Sequence, residues 1–249
     1  MKNRALLVLS GITIAGYANA SLVGNLYLAQ GGGATASGFV NQVFPDFPTF
    51  STVSGNVVTV GASGWNVANI QGEYLEAANN TSFISGNVSS GILTVSTFSA
   101  SPSTDHTSGV STGATIVYSG IVTSAITNIS GKLFNFETNT TGIAQLQGLA
   151  AGSYLVSFSP NAAFGTFGQA FNTMSTDTST NGWARNSGGG FALAGGTGWA
   201  TFATDNPTNT TDKQFSLGIN GTNAVPEPAS LAVLSLGALG LLRRKRKTA

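Results

Sequence analysis

The sequence predicts an all-β protein, a mostly antiparallel, sandwich-like domain over residues 21–224 flanked by an N-terminal signal helix and a C-terminal transmembrane helix. Three observations predict it. Apolar and polar residues alternate with period 2 in several short runs rich in β-branched and aromatic side chains, the mark of a half-buried strand. The runs are separated by Gly, Ser and Asn, and the chain holds 33 glycines. Finally, each end carries an uncharged apolar run beside basic residues, an arrangement that no soluble core requires.

The elements follow in chain order. Lys2 and Arg4 precede an apolar run over 5–16, and Ala18-Asn19-Ala20 supplies the small residues of a signal-peptidase site. Residues 1–20 therefore read as a signal peptide, with the mature chain starting at Ser21. The run is too short to serve as a permanent anchor. Strands are expected at 22–28 and 56–60, at 92–98, and at 114–118 and 121–126. In 132–137, Phe134 and Phe136 share one face while Asn135 and Glu137 share the other. Tyr154, Val156 and Phe158 repeat the pattern, as do Phe215, Leu217 and Ile219, and a last run falls at 199–204. A tight turn at 149–153 feeds the strand at Tyr154. One short helix is expected over 66–78, because Val67, Ile70, Tyr74 and Ala78 fall roughly on one helical face. Phe164, Phe167 and Phe171 lie in a Gly-rich stretch and are expected to plug the core from a loop. Residues 175–190 and 206–212 read as exposed loops. Such short strands suit a sandwich or a solenoid, and the lack of a fixed-period repeat disfavours the solenoid.

The last 25 residues, 225–249, are organised differently. Pro226-Glu227-Pro228 is held extended by its two fixed φ angles. Residues 229–242 carry no charge and form an apolar run of 14 residues, about 21 Å as a helix. Arg243, Arg244, Lys245, Arg246 and Lys247 follow as an uninterrupted stop-transfer block. A bilayer core needs about 20 residues, so the span relies on these basic side chains snorkelling to the interface. Retention of that block on the cytoplasmic side places the body across the membrane.

A Pro-Glu-Pro turn, an apolar helix and a basic cluster in that order resemble a PEP-CTERM sorting signal. The likeness covers about 25 residues and does not bear on the fold before them. It implies export by a bacterium with an outer membrane, transient anchoring in the inner membrane with the body periplasmic, and processing near Pro226-Glu227-Pro228 by the transpeptidase-like exosortase. It also implies a final place at the cell surface or outside it, in association with exopolysaccharide and biofilm. The apolar run is at the short end for such a signal.

Composition narrows the function of the body. Seven of the ten basic residues lie in the two terminal segments, leaving Lys132, Arg185 and Lys213 against eight acids between Ser21 and Ala224, a net charge of −5. That balance excludes a nucleic-acid partner. Only 8% of residues are charged, against about 25% in ordinary soluble proteins, so Ser, Thr, Asn and Gly carry solubility. There is no cysteine, which excludes disulfides, thiol nucleophiles and Cys-ligated zinc.

Individual residues offer little catalytic chemistry. His106, the single histidine, stands among Ser and Thr and reads as solvated. H-E-x-x-H does not occur. Glu73 and Glu76 sit on the expected helix and read as a solvated face rather than the opposed carboxylates of a glycosidase. Asp177, Ser179 and Asn181 with Gly182 resemble the start of a calcium loop, but position 12 is Gly188 and the bidentate acid is missing. No cofactor or metal is expected. Of Trp65, Trp183 and Trp199, Trp183 beside Arg185 in the polar loop is the best candidate to lie exposed and stack on a sugar ring. Thr is abundant, yet no regular T-x-T ladder appears for an ice-binding array. The expected function is thus a non-enzymatic surface or matrix protein. Its partners would be signal peptidase and exosortase for processing, the membrane through the helix, and extracellular polysaccharide. The alternative is a secreted polysaccharide-active enzyme, a glycosidase or lyase using a carboxylate pair.

Overall fold

The computed structural model describes residues 24–29, 31, 38–76, 88–98, 115–175, 182–186, 188–191, 193, 198–202 and 213–224. The signal peptide, His106, Asp177 and the sorting segment from residue 225 onward lie outside these residues. Among the described residues the elements run β1 (Gly24–Ala29), β2 (Gly38–Val40), β3 (Val53–Val60), β4 (Trp65–Glu76), β5 (Ser90–Thr97), β6 (Ile116–Thr123), β7 (Ala125–Ser130) and β8 (Leu133–Asn139). They continue with β9 (Gly152–Pro160), a four-residue helix α1 (Phe164–Phe167), β10 (Ala170–Thr173), β11 (Gly182–Arg185), β12 (Ala200–Thr201) and β13 (Leu217–Asn223). Every strand pairing is antiparallel.

Two sheets face each other. The six-stranded sheet has the order β12-β11-β3-β9-β5-β6. The seven-stranded sheet is organised around β4, whose one edge pairs with β13 along Trp65–Gln71 and then with β10 at Tyr74–Glu76. Its other edge pairs with β8, which carries β7. β1 extends the sheet beyond β13, and β2 extends it beyond β10. The chain changes sheets at Ser124, between β6 and β7, where the buried hydroxyl meets Thr138 Oγ1 at 2.6 Å.

The helix expected over 66–78 is instead the longest strand, β4. A β-bulge explains the misreading. Val67 pairs with Gly221 and Asn69 with Asn220, so Ala68 is an extra residue on β4. The buried positions switch from Trp65 and Val67 to Ile70, Gly72, Tyr74 and Glu76 across that point. The bulge thereby puts Val67 and Ile70, three apart, on one face, a spacing that imitates a helix. The other corrections are smaller. Gly120 does not end a strand; β6 runs through it, and the break falls at Ser124. β11 lies inside the stretch expected to be an exposed loop. A Cβ at Gly182 would collide with the Lys213 carbonyl, so this glycine serves a close backbone approach at the start of β11.

The core lies between the sheets. Tyr74 and Phe136 from one sheet meet Phe158 from the other, with ring centroids 5.0 to 6.3 Å apart. Leu93, Val95, Val156, Ile70 and Ile219 pack around them. A buried polar network seams the sheets beside this cluster. Tyr74 Oη donates to the Phe158 carbonyl at 2.6 Å, and Asn41 Nδ2 donates to the same carbonyl at 2.9 Å and to Tyr74 Oη at 3.2 Å. Asn41 Oδ1 accepts from the Ser54 amide at 3.2 Å and from Ser159 Oγ. Burial holds the Tyr74 phenol far above its ordinary pKa, so it remains a donor.

Strand directions set the two ends of the molecule apart. Gly24 opposes Gly221, and the Ala224 amide donates to the Gly64 carbonyl, so the first and last described strands enter and leave at the β3–β4 turn. The opposite end carries the Glu76 end of β4, the loop from β2 to β3, and the segment after β9. The 12 residues of β4 separate these ends by about 36 Å.

Candidate functional site

Two concavities stand out on this frame. The first lies on the outer face of the six-stranded sheet. In β5, Leu93 and Val95 point into the core, so Ile92, Thr94 and Ser96 point outward. Register carries that outer row across the sheet: Ser119 opposes Thr94, Thr94 opposes Ser157, Ser157 opposes Gly55, and Gly55 opposes Trp183. Gly55 adds no side chain to the row between Ser157 and Trp183. The groove formed here has a volume of about 310 Å³ and is lined by Thr94, Ser96, Ser119 and Ser157, with Ile92, Ile116, Leu155, Val43 and Val53 beside them. Arg185, at the end of β11, and Trp199, just before β12, complete the lining. Thr94 Oγ1 and Ser119 Oγ are 3.1 Å apart and hydrogen-bonded, while Ser157 Oγ donates to the Ser54 carbonyl at 2.8 Å. Each hydroxyl oxygen still has a lone pair to offer. Partial burial lowers the Arg185 guanidinium pKa from its ordinary value, yet arginine keeps its charge in proteins.

The second concavity is an aromatic cleft of about 290 Å³ at the end remote from Gly24 and Ala224. It is lined by Phe44, Phe47, Phe50, Phe164, Phe191 and Gln169. Phe44 and Phe47 each meet Phe164 edge to face, at 5.9 and 6.0 Å, and Phe50 meets Phe191 at 5.4 Å. Asp46 ties the two loops together by accepting from the Phe164 and Gly165 amides, both at 2.9 Å. The Gly165 amide is the main reason its carboxyl titrates below the ordinary range.

The sequence-predicted residues fall as follows. Trp183 is not the exposed tryptophan: it is 8% exposed, sits on β11 and packs against Phe98 at 5.3 Å. Its neighbour Trp199 is the one that lines the groove. Both belong to one sheet edge, and the polar sequence around Trp183 concealed a strand. Trp65 is buried in the core. Glu73 and Glu76 do not form a solvated face. On a strand, residues three apart point to opposite sides of the sheet. Glu76 is buried, and Glu73 is partly buried, which raises its carboxyl pKa. Phe164 does not plug the core; it is 45% exposed at the rim of the cleft, and Phe171 is half-buried on β10. Among the described residues no three His, Cys, Asp or Glu side chains cluster as metal ligands would. Ala18, Ala20, Ser21, Pro226, Glu227, Pro228 and Arg243 to Lys247 lie outside the described residues. Sequence reasoning missed both concavities. Only the Phe-rich composition of 39–50 hinted at the cleft.

The class that fold and surface define is an antiparallel β-sandwich with an open sheet-face groove. Among the described residues no helix is long and apolar enough to cross a membrane. The chain's particular character comes from its end: residues 224–247 match the family model of the PEP-CTERM protein-sorting motif. The motif marks an exported protein sorted through exosortase. No curated protein and no solved structure matches the chain.

Proposed function

We propose that the chain is a non-enzymatic protein of the cell surface or extracellular matrix, delivered by its PEP-CTERM signal and associated there with exopolysaccharide. The observation that carries this reading is the match at 224–247 at the end of a β-sandwich body. Signal peptidase would cut before Ser21, and the helix over 229–242 would hold the chain in the inner membrane with its body periplasmic. Exosortase would then act near Pro226-Glu227-Pro228 and release or transfer the body. The sandwich supports this order of events, because Gly24 and Ala224 lie at one end. The aromatic cleft is held about 36 Å away from that end.

Two variants test the sorting. Replacing Arg243 to Lys247 with Gln removes the charges whose passage across a bilayer costs several kcal/mol, and should let uncleaved protein slip into the periplasm. Replacing Pro226, Glu227 and Pro228 with Ala should instead leave full-length protein in the inner membrane. If membrane fractionation finds both variants distributed like wild type, the sorting reading is wrong.

A further inference from the structure

We propose that the groove across the six-stranded sheet is a binding site for a carboxylate-bearing sugar of an acidic polysaccharide, with Arg185 taking the carboxylate and Trp199 the sugar face. The proposal rests on the matrix reading above and names the site and ligand class within it.

Three features of the groove define the ligand. Trp199 gives a flat apolar surface beside Ile92 and Ile116, which suits the C–H face of a pyranose ring. Thr94, Ser119 and Ser157 form a row of hydroxyls straight across the sheet, at positions where a sugar's own hydroxyls can be matched. Each already has one protein partner and keeps a lone pair for a sugar hydroxyl. Among the described residues that line the groove Arg185 is the only cation, in a body of net charge −5 that otherwise repels polyanions. Its planar fork matches a carboxylate in two parallel hydrogen bonds and is strengthened by partial burial. A nucleic acid would need a run of such cations. A peptide adding itself as a strand would need a sheet edge, and this groove lies on a face. A polymer can cross it, since the groove is open at the surface beside the exposed Ile116 and Ser119.

The test uses the full chain purified in a nonionic detergent, with polygalacturonate as the acidic probe and dextran as the neutral one. Affinity electrophoresis should show polygalacturonate bound more tightly than dextran, and the difference should shrink with salt. Arg185→Gln should weaken polygalacturonate binding by about tenfold or more while leaving dextran unchanged. Trp199→Ala should weaken both. Either side chain is partly buried and its loss can disturb folding, so Ser119→Glu is the third variant. It changes an exposed residue at the rim, should unfold near the wild-type temperature, and should weaken binding of the acidic probe more than of the neutral one. Absence of polygalacturonate binding by wild type, or binding unchanged in all three variants, overturns the proposal. Matrix retention in cells separates the two levels of the argument. Wild type and variants retained equally overturn the groove and keep the matrix reading; wild type lost from the matrix overturns both.

Discussion

Two aromatic clusters in this molecule use the same chemistry to opposite ends. Tyr74 meets Phe136 and Phe158 edge to face between the sheets, and the three rings are closed over, each 2% exposed or less. Phe44, Phe47, Phe50, Phe164 and Phe191 also meet edge to face, but their cleft is open, and Phe47, Phe50 and Phe164 are each more than 40% exposed. The first cluster stands on strands, where period 2 repeats the inward direction. The second stands on loops and a four-residue helix, held by turns and by Asp46 rather than by two facing sheets. A phenylalanine's type therefore does not decide its burial here; the element beneath it does.

Truncation should separate the clusters most sharply. Phe136→Ala removes a ring with no exposure and leaves a cavity against Tyr74 and Phe158, at a cost of about 3–5 kcal/mol. Phe164→Ala gives up edge contacts that water already reaches and should cost less than about 1 kcal/mol. Urea unfolding of both variants gives the comparison. Similar losses at the two sites would mean that the cleft is as much a part of the core as the ring trio.

Next in size is the polar seam of the closed cluster. Asn41→Ala strips the Ser54 amide and Ser159 Oγ of their acceptor and takes a donor from Tyr74 Oη and the Phe158 carbonyl. Buried groups left unmatched cost about 1–3 kcal/mol each, so the total should approach that of losing the Phe136 ring. A loss below 1 kcal/mol, measured the same way, would show that water replaces the amide and that the seam is open.

The closed cluster was largely legible in the sequence and the open one was not. Phe134, Phe136, Tyr154, Val156 and Phe158 alternate within single strands, so a short window shows which of them point inward. The expected runs at 92–98, 132–137 and 154–158 correspond to β5, β8 and β9. Tyr74 was legible as an apolar-face residue, but the extra residue at Ala68 disguised its strand as a helix. The cleft draws on residues 44 to 191, and the groove on residues 43 to 199. No local period links positions that only sheet order and register bring together. For the same reason Trp183 and Trp199 could not be told apart by their neighbours: pairing of β11 with β3 buries one, while the other is left beside the groove.

The smallest effect concerns two carboxylates, one beside each cluster, that should respond to pH with opposite signs. Glu73 follows the closed cluster along β4, and burial raises its pKa above the ordinary 4.5. The folded state then holds a proton that the unfolded chain has released, so Glu73 costs stability as pH rises from 4.5 through its folded pKa. Glu73→Gln should remove that cost, making the variant more stable than wild type above this window and equal to it below. Asp46 sits beside the open cluster at the surface, and the Gly165 and Phe164 amides lower its pKa below 3.8. Its contribution is present above 3.8 and is lost as pH falls through the lower folded value. Asp46→Asn should be slightly less stable than wild type near neutrality and converge with it in acid, with faster hydrogen exchange at the Phe164 and Gly165 amides. The two difference curves, taken by thermal unfolding from about pH 2 to 8, should therefore have opposite signs near neutrality. If they share a sign, either Glu73 finds water on the outer side of its sheet or Asp46 does not hold the cleft, and the contrast between the closed and open ends fails at that residue.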